Sequence, residues 1–276
     1  MKRVAYETCA YCPKLCRHVC PVAVGTARES TTPTAMMTGA LLALDGIVTP
    51  AEGYASASLC TSCGACTEVC LLDQPVRDLL AEARGAWGPR VESLLGTVEG
   101  AGPWVAVECD DRRWSEALAK KRGGAVARFR TTDHLGARLL DHRARFATHA
   151  SALRDRLGGR TVVVSCHACE RVAREAGLEH EHLSNIQAPD HADWVHQPCH
   201  GPRLGGATLP GAIACCGAAE PFASVHPDAA SEVARWWERS LSGASLATPD
   251  TRCGVALRRA GVALRDPVDA LLASFA

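Results

Sequence analysis

The apolar residues of this chain change their spacing about a third of the way along. In the first part they fall in runs of helix formers opened by proline. Residues 34–44 (TAMMTGALLAL) follow Pro33, and residues 51–59 again favour helix over strand. Pro75 opens the run VRDLLAEAR, which Gly85 is expected to close, and Pro89 opens RVESLL, closed by Gly96. Glycine and proline then punctuate GTVEGAGP without any apolar period, so residues 96–103 read as a linker. Beyond it, short β-branched or apolar runs at 104–108, 125–129, 161–165 and 212–214 alternate with helical stretches at 115–122, 134–157 and 231–241. That alternation predicts a parallel sheet with helices on its faces. The expected architecture is an all-helical domain over residues 1–95 and an α/β domain over residues 104–276.

Cysteine spacing gives the helical part its chemistry. Cys60, Cys63, Cys66 and Cys70 form a C-x2-C-x2-C-x3-C run, the spacing by which bacterial ferredoxins wrap a 4Fe–4S cubane. Three thiolates two residues apart converge on one cube, and the fourth serves a second cluster. The N-terminus supplies that second site with Cys9, Cys12, Cys16 and Cys20. By this exchange, Cys60, Cys63, Cys66 and Cys20 hold one cluster, and Cys9, Cys12, Cys16 and Cys70 hold its neighbour. Three residues separate Cys12 from Cys16 where two are usual, and Pro13 lies among them, so this loop must take a different path. Paired C-x2-C motifs also build zinc sites. Eight cysteines in two four-membered runs favour iron–sulfur, and propensity and turn signals favour an all-helical cluster domain over a β-rich small ferredoxin.

Composition narrows the setting. The chain has 276 residues, with 30 basic and 30 acidic side chains in balance, so nothing points to nucleic acid or an anionic membrane as partner. Fifteen cysteines, an odd number in a long chain, do not suit a secreted disulfide scaffold. The opening MKRVAYETCAYC has no apolar core of signal-peptide length, and no stretch approaches 18 uninterrupted apolar residues. The expected location is the reducing cytoplasm, at most peripheral to the inner membrane through a partner. Neither G-x-G-x-x-G between strand and helix nor G-x-x-x-x-G-K-[ST] occurs, so no flavin, nicotinamide or nucleotide fingerprint is visible.

In the α/β part, cysteines stand where loops are expected. Cys166 and Cys169 follow a strand, at the end of an open sheet where ligand sites gather. Cys199 lies in HQPCHGPR, Cys215 and Cys216 precede Gly217, and Cys253 lies in TPDTRCGV. The side chains of the adjacent pair diverge, which suits two irons of one cluster better than one small ion. Gly217 is expected to let the backbone approach an inorganic cofactor. The alternative for any of these cysteines is a small buried hydrophobe, the favoured reading for the isolated Cys109. His167, His196 and His200 flank these positions and could move protons or hydrogen-bond a cluster, although a histidine in a loop more often bonds the backbone. Residues 142–145 read as a solvated helix face.

Two cysteine runs followed by HQPCH and CCGAAE resemble the iron–sulfur subunits that carry a CCG cysteine-rich domain. That family includes the heterodisulfide reductase subunits, the glycolate oxidase iron–sulfur subunit and the anaerobic glycerol-3-phosphate dehydrogenase C subunit. The resemblance implies an α-helical ferredoxin domain passing electrons between a flavoprotein dehydrogenase or reductase and a quinone or disulfide acceptor. It also implies one further iron–sulfur cluster on Cys199, Cys215, Cys216 and Cys253, with Cys166 or Cys169 able to complete it. The chain departs from the family in lacking an adjacent cysteine pair in its first repeat, and in having Ala256 where a closing cysteine is expected. The expected function is an electron-transfer subunit. A thiol or heterodisulfide reductase centred on the CCG domain is the alternative, and a zinc-bearing interaction module is the non-redox one.

Overall fold

The computed structural model describes residues 3–89, 96–108, 113–128, 134–157, 159–199, 205–211, 213 and 215–274. The expected helix at 90–95, Cys109, His200 and both ends of the expected strand at 212–214 lie outside these residues. The chain divides into two compact units, Met1–Arg90 with Gly211–Ser240, and Val91–Pro210 with Leu241–Ala276. Cys215 and Cys216 thus belong to the first unit, Cys199 and Cys253 to the second.

Among the described residues the first unit is helical throughout. Its helices start where capping chemistry allows. Thr32 accepts the amide of Ala35 ahead of Pro33–Leu44, and Thr49 and Glu52 form a reciprocal capping box at Pro50–Ser58. Pro33 and Pro50 occupy first-turn positions, where a missing N–H costs nothing. These two helices cross closely because both contribute glycine. A Cβ on Gly39 would fall 2.2 Å from Ser56 Oγ, and one on Gly53 would fall 2.5 Å from Ala43 Cβ. Tyr6, Met36, Met37 and Leu80 are fully buried between the helices, and the Tyr6 hydroxyl donates to Leu79 O at 2.7 Å. The helix expected to stop at Gly85 runs on as Val76–Trp87, since the Trp87 ring packs over Gly53.

Residues from 211 onward return to this unit through the helix Pro227–Leu241. Gly217 has φ +86°, and a Cβ there would lie 2.4 Å from Ala230 O. The close approach that this glycine permits is therefore to a helix backbone. Gly217→Ala is expected to destabilise the protein by about 2–4 kcal/mol, from left-handed strain plus overpacking. The denaturation midpoint of anaerobically prepared protein measures it.

The second unit is the α/β part, with a mostly parallel sheet. Its strands are β1 (Thr97–Glu99), β2 (Trp104–Val107), β3 (Ala125–Arg128), β4 (Thr161–Val164), β5 (His180–His182), β6 (Trp194–Val195), β7 (Leu246–Ala247) and β8 (Leu264–Arg265). Five form one sheet in the order β1-β3-β2-β4-β5, with β1 antiparallel on the edge and the other four parallel. The stretch read as a linker thus contributes the edge strand. Alternation along the strands sorts the two faces. Val105, Val107, Val162 and Val164 pack with Leu153, Leu157 and Val172, whereas Ala106 and Val163 pack with Trp114, Leu118 and Leu271.

The chain winds outward from β2 in both directions, so the order of connections reverses between β2 and β4. A second, three-stranded parallel sheet runs β6-β7-β8. Residues 134–157 are not one continuous helix. The 3-10 turns His134–Asp141 precede the helix Arg143–Leu157, Leu135 has φ +59°, and His149 Nε2 lies 2.6 Å from Leu135 O, anchoring the break.

Candidate iron–sulfur centres

The eight N-terminal cysteines reach their positions by different local devices. Cys9 lies in the helix Arg3–Tyr11, Cys16 in the 3-10 turn Leu15–His18, and Cys20 caps the helix Pro21–Thr26. The extra residue between Cys12 and Cys16 is absorbed by Lys14, which turns left-handed at φ 65°. In the second run Ser62 and Gly64 both take positive φ, 58° and 81°, which wraps the loop around Cys63. The short helix Ala65–Glu68 then carries Cys66.

Two cavities result. One is lined by Cys20, Cys60, Cys63 and Cys66 with Met36, Leu80 and Arg77. The other is lined by Cys9, Cys12, Cys16 and Cys70 with Thr34, Leu72 and Gln74. Pro33, Cys66 and Val76 line both, so the two share a wall. Cys20 thus lines a cavity with Cys60, Cys63 and Cys66, and Cys70 lines one with Cys9, Cys12 and Cys16, with Cys66 bordering that second cavity as well.

Backbone amides already point at two of the sulfurs. Ser62 N donates to Cys60 Sγ at 3.3 Å, and Gln74 N to Cys70 Sγ at 3.4 Å. Burial, with neighbouring sulfurs adding to it, pushes the thiols of Cys9, Cys20 and Cys63 up to about 12, and Cys66 also upward. Thiols so crowded keep their protons until a cationic centre arrives to take the thiolates. Four cysteines lining one cavity and five the other, apolar walls and N–H donors fit a four-iron cubane.

A family model described as a 4Fe-4S dicluster domain matches residues 5–73. That match, over about a quarter of the chain, supports an iron–sulfur protein of electron-transfer type with at least one 4Fe–4S cluster in this region. No curated protein and no solved structure gives a significant match. Among the described residues no helix is long and apolar enough to cross a membrane.

Arg84, on the helix that backs the dicluster region, was not singled out by sequence. It is 2% exposed, and it donates to Ala57 O at 3.3 Å and to Ser62 Oγ at 2.9 Å, in the loop between Cys60 and Cys63. The nearby segment that returns to this unit brings a ninth cysteine. Cys215 is buried and acts electrostatically on Cys63, while its carbonyl accepts the Trp237 indole N–H at 3.1 Å. Gly217 N donates to Cys215 Sγ at 3.3 Å.

In the second unit, Cys166 and Cys169 have no exposed surface and pack among Val105, Val107 and Leu153 in the apolar core of the larger sheet. Cys253 is buried and its amide donates to Asp250 Oδ1 at 2.7 Å, whereas Cys199 is half-buried. His196 Nδ1 lies 3.2 Å from Thr248 Oγ1.

Asp250 is the second residue that sequence did not signal. It caps the helix Thr251–Arg259 and also accepts His167 N at 2.8 Å, so one carboxylate closes two helix N-termini. Burial raises its pKa, but His167 and the amides of Cys253 and His167 outweigh that and hold it at about 2.

Proposed function

We propose that the protein is the iron–sulfur electron-transfer subunit of an oxidoreductase complex, relaying electrons between a flavoprotein and a quinone or other acceptor. Cys20, Cys60, Cys63 and Cys66 hold one 4Fe–4S cluster, and Cys9, Cys12, Cys16 and Cys70 hold the other. The observation that carries this reading is the shared wall: two cysteine-lined cavities meet at Pro33, Cys66 and Val76, an arrangement that supports two redox centres side by side. Each cluster, when bound, takes up and gives back one electron. The chain's own residues provide thiolates, N–H donors to sulfur, and apolar walls that limit water. HQPCH and CCGAAE are the residues that support membership of the CCG type.

The partner's side is suggested by exposure. Tyr11 is 85% and Leu71 80% exposed, with Leu15 and Leu72 also open to solvent. All four lie within two residues of Cys9, Cys12, Cys16 or Cys70, so apolar surface rings the loops of one cluster.

Anaerobic purification followed by iron and sulfide analysis and EPR tests the reading. About eight irons per chain are expected for two clusters, and about twelve if the further cluster expected at Cys199, Cys215, Cys216 and Cys253 also assembles. The reduced clusters should reoxidise with a quinone or flavin acceptor, and the isolated chain should not oxidise hydroxy acids. Stoichiometric zinc without iron-dependent signals overturns it.

A further inference from the structure

We propose that the α/β unit carries a divalent transition-metal site formed by His167, Glu170 and His182. Topology brings these residues together. His167 and Glu170 occupy the first turn of the helix His167–Glu175, three residues apart and therefore on one face. His182 ends β5, where parallel register sets it beside Val164 at the end of β4, just before that helix begins. One donor atom from each of the three lies within 4.8 Å of the other two. The two imidazoles stack with centroids 5.0 Å apart and planes 17° apart.

A second, independent observation points to a ligand. His182 is only 1% exposed, yet its Nε2 is buried without a hydrogen-bond partner among the described residues. A buried polar atom left so is costly, and a bound cation would satisfy it. The supporting contacts have the form found behind metal-ligating histidines. His167 Nδ1 lies 3.1 Å from Glu170 Oε2, while its Nε2 lies 3.2 Å from Asp250 Oδ2 at an angle too poor for a hydrogen bond. With the cation on Nδ1, Asp250 becomes the carboxylate that orients the ring from behind. His182 Nδ1 accepts Ser184 N at 3.2 Å and lies 2.9 Å from Ser184 Oγ. Loading Nε2 would move the ring proton to Nδ1, which would then donate to Ser184 Oγ and give up the bond it now accepts from Ser184 N.

The donor set selects the class of ion. Two imidazoles and one carboxylate suit Zn²⁺ or Fe²⁺, and three protein ligands leave a coordination position for water or a substrate oxygen. The Glu170 side chain is 18% exposed, which gives an entry path to a site whose histidines are closed off. It lies at the carboxyl ends of parallel strands, where sites of open α/β sheets gather.

The inference does not depend on the iron–sulfur reading, and its test keeps the two apart. Holo-protein purified without oxygen, its cluster cysteines already loaded with iron, is titrated with Zn²⁺. Zinc retained after gel filtration is then examined by X-ray absorption at the zinc edge. One zinc per chain with only nitrogen and oxygen ligands is expected. His182→Gln and Glu170→Gln should each weaken binding by about 100-fold, and Ser184→Ala by about tenfold, with iron content and EPR unchanged. No retained zinc, zinc bound by sulfur, or equal affinity in both ligand variants overturns the proposal. In the first case His167 is a buried ion-pair bridge between Glu170 and Asp250 and nothing more.

Discussion

Cys20→Ala is expected to abolish the cluster of Cys60, Cys63 and Cys66 and to spare the cluster of its own sequence neighbours. Sequence proximity alone argues for the opposite, since Cys20 ends the run that begins at Cys9. Spatially it does not stay with that run: it caps the helix Pro21–Thr26 and lines the cavity of the second run, while Cys70 lines the cavity of the first. The electrostatic neighbours agree. After burial, Cys60 and Cys63 are the sulfurs that push the Cys20 thiol up, and Cys12, Cys70 and Cys16 are those that act on Cys9.

The loss should be about four irons per chain, and it should be specific. The residual EPR spectrum of reduced Cys20→Ala should overlay that of Cys63→Ala, and the spectrum of Cys70→Ala should overlay that of Cys12→Ala. If Cys20→Ala overlays Cys12→Ala, the two runs hold their clusters separately and the crossed assignment is wrong. The structural consequence should also be large. The loops that carry these cysteines turn on positive-φ residues, Lys14, Ser62, Gly64 and Asp73, so a lost cluster should leave this unit open to proteolysis.

The parts of this architecture that announce themselves along the chain are those with a local cause. Proline followed by helix formers marked Pro33–Leu44 and Pro50–Ser58, and β-branched runs bounded by glycine marked β2, β3 and β4. Cysteine spacing marked the dicluster region, because three ligands of one cubane must come from one tight loop. What was not legible has a nonlocal cause. β6, β7 and β8 are two residues long, too short for any period, and exist because they pair with one another. Glycine at 85 does not stop its helix, because a tryptophan two residues on finds a glycine of another helix to lie on. Asp250 and His182 acquire their roles only when β4, β5 and the loop after β7 converge, across as many as 83 residues of sequence between His167 and Asp250.

Arg84→Met is expected to weaken the first unit and to make one cluster harder to reduce. The guanidinium is 2% exposed, so its desolvation has already been met by the bonds that hold it, including those to Ala57 O and Ser62 Oγ. Replacing it leaves those acceptors without this donor in a buried setting, a loss of about 2–4 kcal/mol. Ser62 is the residue most exposed to the consequence, because it stands at φ 58° and its amide donates to Cys60 Sγ. The same cation stands close behind the Cys60–Cys63 loop, where burial weakens screening by water. A reduced cluster carries one more negative charge than an oxidised one, so the nearby positive charge favours the reduced form. Taking it away should shift the midpoint potential of the cluster at Cys20, Cys60, Cys63 and Cys66 in the negative direction and move the other cluster less. Arg84→Lys separates the two contributions. It keeps the charge and loses the fork geometry, so it should lower stability while leaving the potential near that of the native protein. Redox titration followed by EPR reads the potential, and anaerobic denaturation reads the stability. An unchanged potential in Arg84→Met would leave the arginine as a structural brace with no influence on the redox centre.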